Sequence, residues 1–282
     1  MTAIAWRVLA RGATCLLFLA APFHSTQAAS TNEASSGKVA TVTPISHTLS
    51  VSLLSGTHIE VDYLPPNRLP VNRIASWLRK NRTKQFDAYD AFISIGDALP
   101  AFAFSSTLRQ TNIRLVTIDV AYARLPEGER VVLGEPDEFF WLNTNNLLLM
   151  LGILKRDLAL LWPEHRPRIN ANYQSASAAI RRLSLDIESL LFDNEIAVLA
   201  FDKTALKPLT DSLPLDVVSQ EEALAMAELA LRVGSARSKA SAADANQQAL
   251  RYWRIDDLSR FSDQSIEDRL AENLRALQSL FE

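Results

Sequence analysis

The chain has 282 residues, of which 48% are hydrophobic and 22% are charged, and its net charge is −3 at pH 7. This length and composition fit a globular protein with room for one large domain or two lobes. The acidic balance argues against nucleic acid or an anionic membrane surface as a partner.

Residues 1–28 are typical of a cleavable export signal. Arg7 and Arg11 form a positive segment, residues 13–21 form a short apolar run, and residues 26–28 offer small side chains for cleavage. An apolar run of nine residues is too short to span a bilayer core of about 30 Å, so no membrane span is expected in the mature chain. The sequence therefore predicts a periplasmic protein. Cleavage would also remove the only cysteine, Cys15.

Strand-like and helix-like segments alternate after a small, polar leader at 29–38, which we predict to be disordered. The predicted strands are 39–43, 58–63, 91–95 and 113–116, and the helices between them include 47–54 and 71–80. This alternation predicts a mainly parallel sheet with helices on both faces. We assign it to an N-terminal α/β lobe at 39–162.

A long connecting helix is predicted within residues 163–193. Apolar side chains recur there in alternating steps of four and three, at Ile169, Tyr173, Ala176, Ile180, Leu183, Ile187 and Leu190. A helix of about 25 residues is about 38 Å long, which is enough to connect two lobes.

A second, abbreviated α/β lobe is predicted at 194–282. Its predicted elements are a strand at 196–201, a helix at 221–233, a loop at 234–248, a strand at 252–255 and a closing amphipathic helix that begins near Ile266. The predicted fold class is therefore α/β, with two lobes of mainly parallel sheet joined by one long rigid helix.

The sequence lacks the usual catalytic signatures. Its eight glycines are too dispersed for a dinucleotide or phosphate loop, and its histidines do not show the i, i+4 spacing of a helical zinc site. We therefore do not expect an enzyme, and no cofactor is certain. A weakly bound divalent metal ion is the one candidate.

Several polar residues follow predicted strands, where parallel sheets commonly place ligands. His47 follows the first strand, Asp202 follows the strand at 196–201, and Asp256 follows the strand at 252–255. Glu138 belongs to a short acidic run, and hard cations prefer carboxylate oxygens. Each of these residues also fits a structural or surface role, so residue type alone leaves both interpretations open.

Short motifs occur in the same order as in one known family. They are DAFISIG at 90–96, WLN at 141–143, WPE at 162–164, IDDL at 255–258 and NLRAL at 273–277. Together they resemble the extracytoplasmic solute-binding proteins of zinc and manganese ABC importers. The resemblance implies two α/β lobes joined by one long helix, with the metal held between the lobes. It also implies an ABC permease as partner, and we expect a monomer.

The positions that match the family's metal ligands are changed. Asn67, Phe139 and Phe201 stand where the family supplies histidines, and only Asp256 matches a ligand by type. Phenylalanine has no lone pair for a metal ion, so the resemblance implies a weakened or altered site. We expect any residual affinity to depend on Asp256 and, because of its position after the first strand, on His47.

Two hypotheses of function are consistent with these residues. The first is a solute-binding-type protein associated with a zinc- or manganese-class ABC importer, with a weakened or altered metal site. The second is a metal-independent binding or accessory protein that kept the fold and recognises another ligand or a protein partner. The cleft candidates that bear on this choice are Asn67, Phe139, Phe201, Glu138 and Asp202.

Overall fold

The fold is described from a computed structural model that defines residues 36–81, 87–96, 98–121, 125, 128–135, 137–236 and 250–282. All of these residues belong to one compact unit. The predicted export signal and most of the predicted loop at 234–248 lie outside them. None of the described helices is both long and apolar enough to cross a membrane.

The first half of the chain forms a parallel sheet in the order β2-β1-β3-β4. Its strands are β1 (Gly37–Thr41), β2 (Ile59–Tyr63), β3 (Ala91–Ser94) and β4 (Val116–Asp119). Helices α1 (Pro44–Leu54), α2 (Val71–Lys80) and α3 (Ser105–Thr111) lie between successive strands. Parallel pairing places the carboxyl ends of all four strands at one edge of the sheet.

The strand predicted at 113–116 was placed too early. Asn112 follows α3, and its side-chain oxygen accepts a hydrogen bond from the backbone N–H of Arg114 at 3.1 Å, which closes a turn. Ile113 lies in that turn with 88% of its surface exposed, so its β-branched side chain is not part of the sheet. The strand begins at Val116, one residue after the buried Leu115.

Helix α1 begins three residues before the predicted start at His47. The side chain of Thr43 accepts a hydrogen bond from the backbone N–H of Ser46, and Pro44 occupies the first turn, where its missing N–H costs nothing. Pro44 therefore starts the helix, and β1 ends at Thr41. The earlier start places His47 in a fully buried first turn.

The predicted long helix is confirmed as α5 (Arg166–Asp193), which has 28 residues and continues a 3-10 turn at Pro163–His165. It follows α4 (Thr144–Leu161) and packs against both α4 and α1. It also packs against α7 (Ile266–Gln278), the last helix. The buried residues of its predicted stripe include Ile169, Ala176 and Ile180.

The second half of the chain forms another parallel sheet in the order β6-β5-β7-β8. The strands are β5 (Val198–Phe201), β6 (Asp216–Val217), β7 (Ala230–Ser235) and β8 (Arg251–Ile255), and helix α6 (Gln220–Ala225) precedes β7. The two parallel sheets and the long helix confirm the predicted fold class.

The helix predicted at 221–233 was wrong in its second half. A capping box of Ser219 and Glu222 does start a helix, but that helix ends at Ala225. The run that follows is β7, a central strand whose residues from Ala230 to Gly234 are all buried, Arg232 included. A strand buried on both faces lacks the alternation of a half-buried strand, so periodicity cannot distinguish it from a buried helix.

Candidate functional site

His47 has a defined tautomer because of its hydrogen bond to Thr41. Its Nδ1 lies 3.2 Å from the hydroxyl of Thr41, and that hydroxyl donates its only proton to the carbonyl oxygen of Asp62 at 2.9 Å. The hydroxyl must therefore accept from His47, which makes Nδ1 the protonated nitrogen. Nε2 of the neutral imidazole carries the lone pair.

Three side chains surround the His47 ring at the carboxyl edge of the first sheet. Tyr63, the last residue of β2, and Phe261, from the segment after β8, have ring centroids 5.7 and 5.0 Å from that of His47. Asp263 Oδ1 lies 3.4 Å from Nε2, which carries no proton and so donates no hydrogen bond to it. Within the described residues, Nε2 and the Tyr63 hydroxyl are therefore buried polar atoms without hydrogen-bond partners.

The electrostatics of this group suit a cation between His47 and Asp263. Burial lowers the pKa of His47, while Asp263 and Asp62 act in the opposite direction, so the imidazole is neutral at pH 7. A lone pair facing a carboxylate is unfavourable unless a positive charge lies between them. Metal bonds of about 2.0–2.2 Å place neighbouring tetrahedral ligands about 3.3–3.5 Å apart, which matches the observed separation.

Replacing His47 with asparagine is expected to flatten the dependence of the free energy of unfolding on pH below about pH 6.5. Below the unfolded-state pKa of about 6.5, the unfolded chain binds a proton that the buried imidazole does not. Stability is therefore complete above about pH 6.5 and falls as the pH drops toward the lowered folded-state pKa, by at most about 1.4 kcal/mol per pH unit. Urea unfolding between pH 7.5 and 5, with chelator present, measures the difference between the parent and His47→Asn.

The matched control is His58→Gln, which removes an exposed histidine. Its stability profile should follow the parent's. If it flattens as much as His47→Asn, or if His47→Asn keeps the parent's slope, the buried neutral imidazole is not the source of the acid sensitivity.

Asp256 follows β8 and forms an ion pair with Arg269 of α7. Arg269 donates from Nε to Oδ2 at 2.7 Å and from Nη2 to Oδ1 at 2.8 Å, and its side chain is 1% exposed. Its Nη1 also donates to Thr48 of α1 at 2.8 Å. One turn later on α7, the side chain of Asn273 accepts a hydrogen bond from the backbone N–H of Asp256 and donates one to the backbone carbonyl of Asp256. The guanidinium of Arg269 therefore already neutralises Asp256, the one carboxylate that matches a family ligand by residue type.

Two of the three positions that the resemblance matches to histidines are partly buried and pack against the apolar core. Phe139 stacks on Trp141 with a centroid distance of 5.0 Å and an angle of 14°, and it packs against the same core cluster as Phe201. The Phe139 backbone N–H donates to the carbonyl of Ala205 at 2.9 Å. Asn67 lies on an exposed turn after β2. These three positions offer two aromatic rings and a surface amide, and none of them offers an imidazole.

The remaining acidic candidates are used in local hydrogen bonds. Glu138 accepts from the backbone N–H of Glu135 at 3.1 Å, which closes its own loop. Asp202 accepts from Arg232 Nε at 2.6 Å and from the Tyr252 hydroxyl at 2.5 Å. In the described part of the chain, no three His, Cys, Asp or Glu side chains are grouped to hold a metal ion.

The sequence indicated only some of the residues in this candidate site. His47 was predicted from its position after β1, whereas Asp263 and Arg269 were missed. Asp263 lies in a loop with no strand or motif to mark it. Arg269 lies on the same face of α7 as Asn273, but this spacing does not indicate that its partners are Asp256 and Thr48.

Solved structures share this fold. The metal-dependent lipoprotein YcdH of Bacillus subtilis has a TM-score of 0.64 at 14% identity, over 87% of this chain and 98% of that chain. A crystal structure of ZnuA has a TM-score of 0.59 at 13% identity, over 87% and 98%. FpvC of Pseudomonas aeruginosa in complex with Mn²⁺ has a TM-score of 0.61 at 13% identity, over 87% and 99%.

These likenesses define the fold, which is that of the metal-binding solute-binding proteins, and they confirm the structural resemblance that the motifs indicated. FpvC has also been solved with Ni²⁺, and a ZnuA deletion mutant with zinc. No protein-family profile matches the sequence, and no curated protein matches it. At identities this low the likeness shows the fold alone.

Proposed function

We propose that this chain is a periplasmic solute-binding-type protein associated with a metal-class ABC importer, and that its cation site is altered. The fold supports the class of protein. The observation that carries the proposal is the lone pair of His47 Nε2, which is buried and lies 3.4 Å from the Asp263 carboxylate. An ABC permease would be its membrane partner.

The available ligands fit a weak divalent-ion site better than a tight one. Zinc sites in proteins use three or four good ligands, whereas His47 and Asp263 supply two. Asp263 is 82% exposed, so holding it in place costs side-chain entropy. The Tyr63 hydroxyl could be a third contact, but burial raises its pKa, so it stays protonated and neutral. Asp256 would have to leave Arg269 before it could bind a metal.

Calorimetric titration of the chelator-treated protein with zinc and with manganese tests this proposal. We expect dissociation constants weaker than about 1 μM, because changes around metal ligands already cost about 10–100-fold and three ligands are replaced here. His47→Asn and Asp263→Asn should each abolish the residual binding. Asp256→Asn should change it less, because Arg269 already holds that carboxylate. A stoichiometric site with a submicromolar dissociation constant, or metal binding that survives His47→Asn, would contradict the proposal that the cation site is altered and uses His47.

The second candidate function is a metal-independent accessory protein, and one observation favours it. Phe139 and Phe201 are partly buried against the core at positions that the resemblance matches to ligands, so their remaining exposed surface is apolar. If neither ion binds, and neither ion nor a chelator moves the melting temperature of the parent or of His47→Asn, this second function is supported instead.

A further inference from the structure

A groove of about 460 Å³ lies at the carboxyl end of α5, far along the chain from His47. One wall is the last part of α5, from Leu185 to Phe192, and the other is the segment 213–215. Ile196 and Ala197 also line the groove and directly precede β5, and Leu215 directly precedes β6. The groove therefore lies at the amino edge of the second sheet, opposite the carboxyl edge that bears Asp202 and Asp256.

Large apolar side chains are exposed along this groove. Phe192 is 81% exposed and Leu185 is 63% exposed, and both line the groove. Leu185 and Phe192 are seven residues apart, so they lie on the same face of α5 about 10.5 Å apart along its axis. Large contiguous apolar patches on a protein surface mark interaction sites, so this groove is a candidate for one.

The two segments that form the groove are predominantly acidic. Residues 184–197 and 211–217 contain no basic residue and six acidic residues, which are Asp186, Glu188, Asp193, Glu195, Asp211 and Asp216. The nearest basic residues on α5 are the exposed Arg181 and Arg182, one turn before Leu185. Glu188 lines the groove itself. A fatty-acid carboxylate or an anionic lipid surface would be repelled by this rim, whereas a basic partner would be attracted.

We propose that this groove binds an amphipathic, basic α-helical segment of a partner protein. Such a helix would place apolar side chains at i, i+3, i+4 and i+7 against Leu185 and Phe192, and its basic residues would face the acidic rim. A second copy of this chain is a poorer fit. The basic amphipathic helix α2 already buries Ile74 and Leu78 in its own core, so its apolar face is not available.

The test uses a labelled peptide of about 15 residues, built from leucine and lysine with leucine at helical spacing, and a matched peptide with glutamate in place of lysine. Fluorescence anisotropy with the purified protein measures the affinity of each. We expect saturable binding of the lysine peptide only. Leu185→Ser/Phe192→Ser should weaken it at least about tenfold, and Glu188→Gln should weaken it and reduce its salt dependence.

Ile113→Ser is the matched control, because Ile113 is 88% exposed but lies in the turn before β4. Binding should be unchanged in this variant. The proposal is overturned if the two peptides bind equally, if the Leu185→Ser/Phe192→Ser variant keeps the parent's affinity, or if Ile113→Ser weakens binding as much. It is also overturned if the groove variant abolishes a dimer seen in sedimentation or abolishes binding to phosphatidylglycerol vesicles.

Discussion

Replacing Ile180 with proline is expected to lower the free energy of unfolding by about 3 kcal/mol or more. Proline in a helix interior removes one backbone hydrogen bond, and its ring clashes with the preceding turn. Ile180 is buried in the middle of α5, which packs against α1, α4 and α7, so a kink there disturbs packing on both halves of the chain. Urea or thermal unfolding followed by circular dichroism measures the loss.

Ser36→Pro is the control, because Ser36 is exposed and precedes β1. Its unfolding midpoint should stay close to that of the parent. Equal midpoints for Ile180→Pro and Ser36→Pro would mean that α5 is not the rigid element that the packing of its stripe indicates.

The fold was predictable wherever one periodicity dominated a long segment. The stripe from Ile169 to Leu190 is unambiguous because a 28-residue helix repeats the same apolar face several times. The short element β7 was not predictable in this way, because a buried central strand carries no alternation. The shift of β4 past Ile113 has another cause, since the local Asn112 turn overrode the β-propensity of an isoleucine.

The position of the candidate residues could be predicted from the sequence, but their chemistry could not. Parallel strands bring their carboxyl ends to one edge of a sheet, and His47 and Asp256 were chosen because each follows such a strand. Whether a lone pair or a carboxylate is free depends on partners distant in the chain. Asp263 faces His47 across 216 positions, and Arg269 uses Thr48 of α1 as well as Asp256. No local pattern in the sequence records such pairings.

Replacing Arg269 with methionine is expected to cost about 3–5 kcal/mol, the second large effect that the structure predicts. The substitution leaves the Asp256 carboxylate, which is 26% exposed, without its buried cation. It also removes the hydrogen bonds to Thr48 and to the carbonyl of Arg260, so the contact between α7 and α1 weakens. Chemical unfolding at pH 7 measures the change in the free energy of unfolding.

A double-variant cycle separates the ion pair from simple loss of packing. In Asp256→Asn/Arg269→Met no unpaired charge remains, and the new amide oxygen can still accept the hydrogen bond from the Leu258 N–H, so most of the lost stability should return. Arg275→Met is the matched control, because Arg275 is exposed on the same helix. If Arg269→Met costs no more than Arg275→Met, or if the double variant is as unstable as the single one, Arg269 does not act as the internal counter-cation of Asp256. The carboxylate would then be open to an external cation, and the zinc titration of Asp256→Asn should show a loss of affinity as large as that of His47→Asn.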